Sequence, residues 1–158
     1  MPTTTREYMA VKKIKGDRDL VPIRLAQVQA VNYLEGKINA NQLKTNIGNI
    51  TALAGIAYSV FGKSNAVGIA LGVISFLASN PSTSHRNGMI QGLKNGNWQV
   101  QVFEGNLIGK YQYKETFDVE LAFLEAKDWA TKNHLFTGVT SVGKIHAFYD
   151  KKGNRIPV

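Results

Sequence analysis

The sequence predicts an α+β protein: an N-terminal amphipathic helix and a glycine-rich apolar helical hairpin, followed by a ββαβ C-terminal unit. Three observations carry this. Apolar residues recur at spacings of three and four after Pro22; residues 45–84 contain a single charged side chain, Lys63; and beyond residue 97 apolar and polar residues begin to alternate. The composition change near residue 84 divides the chain into a helical part, 1–84, and a ββαβ unit, 85–158.

The N-terminal helix begins near Pro22, whose fixed φ suits a first helical turn, and its stripe is Leu25, Val28, Val31, Leu34 and Ile38. Gly36 weakens or breaks it. The preceding run KKIKGDRD reads as a loop or a short strand.

The apolar middle carries small residues at helical spacing. Gly48, Ala52, Gly55, Ser59 and Gly62 step by four, three, four and three, and Gly68, Gly72, Ser75 and Ser79 step by four, three and four. On two helices these residues form narrow stripes along which backbones can approach closely, as small-xxx-small pairs do in membranes. Lys63, Ser64 and Asn65 form the tip between the two arms. If the stripes face each other, Ile50, Leu53, Phe61, Leu71, Phe76 and Leu77 face outward, toward lipid or a partner. Each such side chain is worth about 2 kcal/mol when removed from water, so something must cover them. The arms, 47–62 and 66–79, rise about 1.5 Å per residue and fall short of a hydrocarbon core of about 30 Å. Short, glycine-rich and apolar, the hairpin suits a segment sheltered in water that enters a bilayer later; an ordinary buried core or self-association hairpin and a constitutive membrane anchor are the competing readings.

In the C-terminal part Trp98, Val100 and Val102 alternate with Gln99 and Gln101; after a turn at Glu104, Gly105 and Asn106, Leu107, Tyr111 and Tyr113 take the opposite face of a second strand from Lys110, Gln112 and Lys114. The pair reads as a β-hairpin. Asp118 caps a helix with Val119, Ala122, Phe123, Ala126 and Ala130 on one face, and KIHAFYD is a final strand that ends in a turn at Lys152, Gly153 and Asn154. This layout resembles small bacterial ββαβ domains of unknown function over about residues 97–156. The resemblance implies a fold and no activity.

Chemistry-bearing motifs are scarce. There is no cysteine, hence no disulfide framework and no thiolate site. His85, His134 and His146 lack metal-ligand spacing, and no nucleophile elbow, Walker lysine or dinucleotide-binding glycine motif occurs. The sequence therefore predicts no enzyme, catalytic residue, metal or cofactor. Trp98 and Trp129 read as core residues. Tyr111 and Tyr113 beside Lys110 and Lys114 have the residue types of a nucleic-acid platform, but alternation puts rings and charges on opposite faces, which argues against nucleic acid.

Net charge is +8. Residues 1–44 hold 8 Lys/Arg against 4 Asp/Glu and residues 85–158 hold 10 against 7, so both flanks of the apolar middle are basic, a balance that draws a protein to anionic surfaces. The start, MPTTTREYMAVKK, lacks the basic and apolar regions of a signal peptide, so either export avoids the common route or the sequence is a mature form. An apolar hairpin at 47–79 with a Lys63-Ser64-Asn65 tip and basic flanks on a cysteine-free chain resembles the hydrophobic-hairpin class of bacterial membrane toxins, which includes pore-forming colicins and larger Gram-positive bacteriocins. That resemblance implies a secreted antimicrobial protein, a bacterial target membrane and loss of its potential; the basic flanks point to anionic lipid and the two short arms, which cannot line a conduit alone, to a homo-oligomer. The alternative is a non-enzymatic assembly subunit, viral or filamentous, whose hairpin packs on identical copies.

Overall fold

The computed structural model describes residues 4–15, 19–54, 66–110, 115–127 and 134–157. Strand β1 (Thr4–Lys15) precedes helices α1 (Val21–Leu34), α2 (Ala40–Ala54), α3 (Ala66–Ala78) and α4 (Thr83–Lys110), which lead to β2 (Thr116–Lys127), β3 (His134–Tyr149) and the short β4 (Arg155–Ile156). The fold is α+β. The strands form one antiparallel sheet in the order β1-β2-β3-β4, and β1 pairs with β2 without interruption from Thr4 opposite Lys127 to Lys15 opposite Thr116. The two ends of the chain thus share a sheet, and the boundary expected at residue 84 does not separate two units.

Local chemistry sets the helix ends. Pro22 stands in the first turn of α1, and Gly36, at φ +79°, takes the left-handed conformation that stops it. Asn39 and Gln42 cap α2 reciprocally: the Asn39 side-chain oxygen accepts the Gln42 N–H and the Gln42 side-chain oxygen accepts the Asn39 N–H, both at 2.8 Å. Asn80, at φ 56°, and Pro81 end α3, and the Ser82 hydroxyl oxygen accepts the His85 N–H to start α4.

The buried face of α1 differs from the expected one. Ile23, Ala26, Gln27, Ala30, Val31 and Leu34 are enclosed, whereas Leu25 and Val28 are exposed. Ala26 and Ala30 among the inner positions allow close packing. The run KKIK belongs to β1, with Ile14 in the core.

The C-terminal part is not ββαβ. The expected first strand and the start of the second lie within the 28-residue helix α4. Its enclosed residues Met89, Ile90, Leu93, Val100 and Glu104 follow helical spacing, and two of the three residues that suggested alternation, Trp98 and Val102, are exposed at 60% and 44%. The core position between Leu93 and Val100 is a glycine, Gly96, which hides the period. The expected helix from Asp118 is instead β2. Phe117, Val119, Leu121 and Phe123 are buried on one side of it and Ala122, Leu124 and Ala126 on the other. A strand covered on both faces shows no alternation, and its pairing with β1 and β3 overrides the helix propensity of Leu, Glu and Ala. Residues 111–114 and 128–133 lie outside the described residues. The expected final strand is the second half of a longer one, β3, which begins at His134 and is followed by β4; the turn between them stands as expected, with Gly153 at φ +84° and the Asp150 carboxylate accepting the N–H groups of Lys152 and Asn154.

Gly96 fixes how close α4 comes to the sheet. A Cβ there would lie 1.7 Å from the carbonyl oxygen of Val139, a backbone atom that cannot step aside. At Gly48 on α2 a Cβ would meet nothing within 4 Å. Gly96→Ala is therefore expected to cost about 3 kcal/mol through forced displacement of packed backbone, and Gly48→Ala to add about 0.5–1 kcal/mol through helix propensity. Chemical denaturation of both variants checks this, and equal effects would contradict the close approach.

Candidate functional site

The hairpin singled out by the sequence lies only in part within the described residues. Gly55, Ser59, Phe61, Gly62, Lys63, Ser64 and Asn65 lie outside the described residues. Ala52 and Leu53 fall on α2 and Gly68 on α3. Gly48 is exposed and open, Gly72 is buried, Ser75 and Ser79 are half-buried, and the Ser79 hydroxyl donates to the Phe76 carbonyl. Ile50 and Leu77 are half-buried and Leu71 is 52% exposed.

Phe76 does not face outward. It is fully enclosed, together with Ile69 and Val73 one turn apart on α3 and Ile47 on α2. α3 packs against α1, α2 and β3, so Ile69, Val73 and Phe76 are covered by the chain's own core. The cause is that each of these side chains gains about 2 kcal/mol by leaving water, and α1 with the sheet offers the nearest apolar cover. The Phe76 ring also meets the edge of the His85 ring, centroids 5.0 Å apart.

The glycine stripe that brings backbones together is on α4. Gly88, Gly92 and Gly96 repeat every four residues along one face. At Gly96 the helix rides on Val139; at Gly92 a Cβ would be in ordinary contact, 3.4 Å from Leu124 and 3.5 Å from Thr140; at Gly88 nothing lies within 4 Å. The helix thus rises away from the sheet toward its N-terminus and opens a cleft of about 490 Å³ between Gly88 and Gly92 on one side and Thr5, Glu7 and Thr140 on the other. The Glu7 carboxylate accepts the Thr140 hydroxyl at 2.8 Å, the His85 Nε2 lies 3.2 Å from the Thr5 hydroxyl, and the Asn95 amide donates to the Thr140 carbonyl at 2.8 Å. His85 and Glu7 engage different hydroxyls, so no proton relay links them. The cleft can hold a small polar or cationic group. Its sequence signal was the repeat Gly88, Gly92, Gly96, masked by the strand reading of the neighbouring residues.

Gln27 is the second feature that sequence reasoning missed. Fully buried on α1, its side-chain oxygen accepts the Val139 N–H at 2.8 Å, and its amide donates to the carbonyls of Val139 at 3.0 Å and Leu93 at 3.4 Å. One side chain thus ties α1 to β3 and to α4. Ion pairs reinforce the α1–α4 seam, Arg24 with Glu104 at 3.2 Å and Glu35 with Lys94 at 3.2 Å. The hydrogen bond from Lys94 holds the Glu35 carboxyl below its ordinary pKa. On β1, burial and then the neighbouring Glu125 carboxylate raise the pKa of Tyr8, whose hydroxyl donates to Glu125.

His146 pairs with Glu120 at 2.7 Å on the sheet, remote in sequence from His85. Among the described residues no group of three His, Asp or Glu side chains is placed to hold a metal ion, and no helix is long and apolar enough to cross a membrane. Lys110 ends α4, whereas Tyr111, Tyr113, Lys114 and Trp129 lie outside the described residues. No protein-family model, curated protein or solved structure matches the chain.

Gln27→Leu keeps the volume but strands the N–H and C=O of Val139 in the core. It is expected to lower stability by about 3 kcal/mol, since each orphaned buried group costs about 1–3 kcal/mol. Gln29→Leu, which gives up one half-buried hydrogen bond from the Asn46 amide at 2.9 Å, should cost about 1 kcal/mol. Urea unfolding of the two variants measures the difference, and a Gln27→Leu protein as stable as the parent would show that the clamp carries no energy.

Proposed function

We propose that this chain is a secreted antimicrobial protein of bacteriocin type, which keeps an apolar helical segment covered in water and delivers it to the anionic membrane of a target bacterium. The observation that supports the reading most is α3. Its sequence AVGIALGVISFLA has no charged residue and is apolar on every side, a composition typical of helices central in a protein or inside a membrane. In this fold one side, Ile69, Val73 and Phe76, is sealed inside while Leu71 remains on the surface. Lipid offers all of these side chains apolar surroundings at once.

At 13 residues α3 spans about 20 Å, too short to cross a hydrocarbon core of about 30 Å alone. Insertion therefore takes both arms of the segment 47–79 and more than one copy. The net charge of +8 concentrates the protein on anionic lipid, and exposed Lys144, Lys151, Lys152 and Arg155 at the β3–β4 end supply part of that attraction.

Leu71→Cys carrying an environment-sensitive dye tests this without disturbing the core, in a chain with no native cysteine. Vesicles containing phosphatidylglycerol should shift its emission to the blue and release an entrapped fluorophore, whereas purely zwitterionic vesicles should do neither. A shift that follows protein concentration and ignores lipid would remove the membrane reading in favour of self-assembly.

A further inference from the structure

β1 is the first strand of the sheet and pairs with β2, and among the described residues no strand lies along its other edge. Every second residue of such an edge directs its N–H and C=O away from the neighbouring strand. Twelve residues long, with no proline and no register shift, β1 is an extended template. Met9 and Val11 stand on it 56% and 51% exposed, flanked on the same face by Glu7 and Lys13 because residues two apart share a face.

We propose that β1 is a homodimer interface: two copies pair antiparallel through β1 about a two-fold axis at Ala10, joining two four-stranded sheets into one. The inference stands apart from the membrane reading, since it concerns the sheet and not the helical segment. In this register Met9 packs against Val11 of the second copy and Glu7 stands opposite Lys13 of the second copy, each pair occurring twice by symmetry. Tyr8 faces Lys12, Arg6 faces Ile14, and no cation faces a cation. A shift of the axis to Met9 sets Arg6 against Lys12. A shift to Val11 sets Lys13 against Met9 and Lys12 against Ala10. The lysines that guard this edge against indiscriminate pairing therefore oppose the shift to Met9, and the shift to Val11, which would set Glu7 against Lys15, gives up the Met9–Val11 contact.

Room exists for the charged pairs. The Glu7 carboxylate accepts one hydrogen from Thr140 and retains lone pairs for a second donor, while the open cleft beside Thr5 and Glu7 leaves space for Lys15 of the second copy. Lys13 rests on the Tyr149 ring of its own chain, 3.9 Å from the centroid, and keeps further N–H donors for the Glu7 that pairing brings opposite it.

Sedimentation of the full chain should show a dimer at high concentration. Residues directly opposite across antiparallel strands have Cα atoms about 4.5–5.5 Å apart, within disulfide range, so oxidised Ala10→Cys should give a covalent dimer and Thr5→Cys, far from the axis, should not. Glu7→Lys and Lys13→Glu should each weaken association about tenfold or more, and the combined swap should restore it while circular dichroism confirms the fold of all three. A chain that stays monomeric, cross-links equally at both positions, or associates regardless of either charge change overturns the proposal.

Discussion

The backbone of Val139 is the point on which the rest of the structure depends. Its N–H and C=O are both held by the amide of Gln27 from α1, and its carbonyl oxygen presses on the bare Cα of Gly96 in α4. β4 covers the far edge of β3 at Phe148 and Tyr149 alone among the described residues, so at Val139 a side-chain amide takes the place of an edge strand. Buried backbone groups without a partner are costly, and here the cost is removed by one residue that fastens three elements at once. Once α1 and α4 are fixed on β3, the groove between α1 and the sheet accepts Ile69, Val73 and Phe76 of α3.

The same constraint shapes both candidate sites. Because Gly96 allows contact with Val139 and Gly88 meets nothing within 4 Å, α4 diverges from the sheet toward its N-terminus and the cleft lined by Thr5, Glu7 and His85 opens there. His85 borders that cleft and touches Phe76, so the cover over α3 and the wall of the cleft share a residue. Displacing α3 would disturb the cleft, and the reverse holds as well.

What the sequence made legible follows from how each element is covered. α1 was readable from Pro22 and Gly36, which act locally, and the β3–β4 turn from Gly153. The class was also readable, since helices and strands were both called for. α4 was not, because its inner face uses Gly88, Gly92 and Gly96, residues that carry no hydrophobic signal, while Trp98 and Val102 lie outside it. β2 was not, because burial of Phe123 on one face and Leu124 on the other erases alternation. Gln27 was invisible for a related reason: a polar residue at a core position is informative only once its partner, 112 residues away, is placed beside it. Of the apolar segment, the second arm was evident as α3 and the first overlaps α2, which begins earlier, at Ala40, but which side of α3 turns inward depended on the surface offered by α1 and β3.

In the proposed membrane reading, the clamp at Val139 holds α3 under cover in water and anionic lipid relieves the need for it. Amide hydrogen exchange, followed residue by residue with and without phosphatidylglycerol vesicles, tests this most directly. In water the amides of Ile69 to Phe76 and of Val139 should exchange slowly together, as one cooperative unit. With vesicles the Val139 amide should lose its protection while those of α3 keep theirs, because lipid replaces the protein as their shelter. Retained protection at Val139 in the presence of bound vesicles, or loss of protection in α3, would contradict the account.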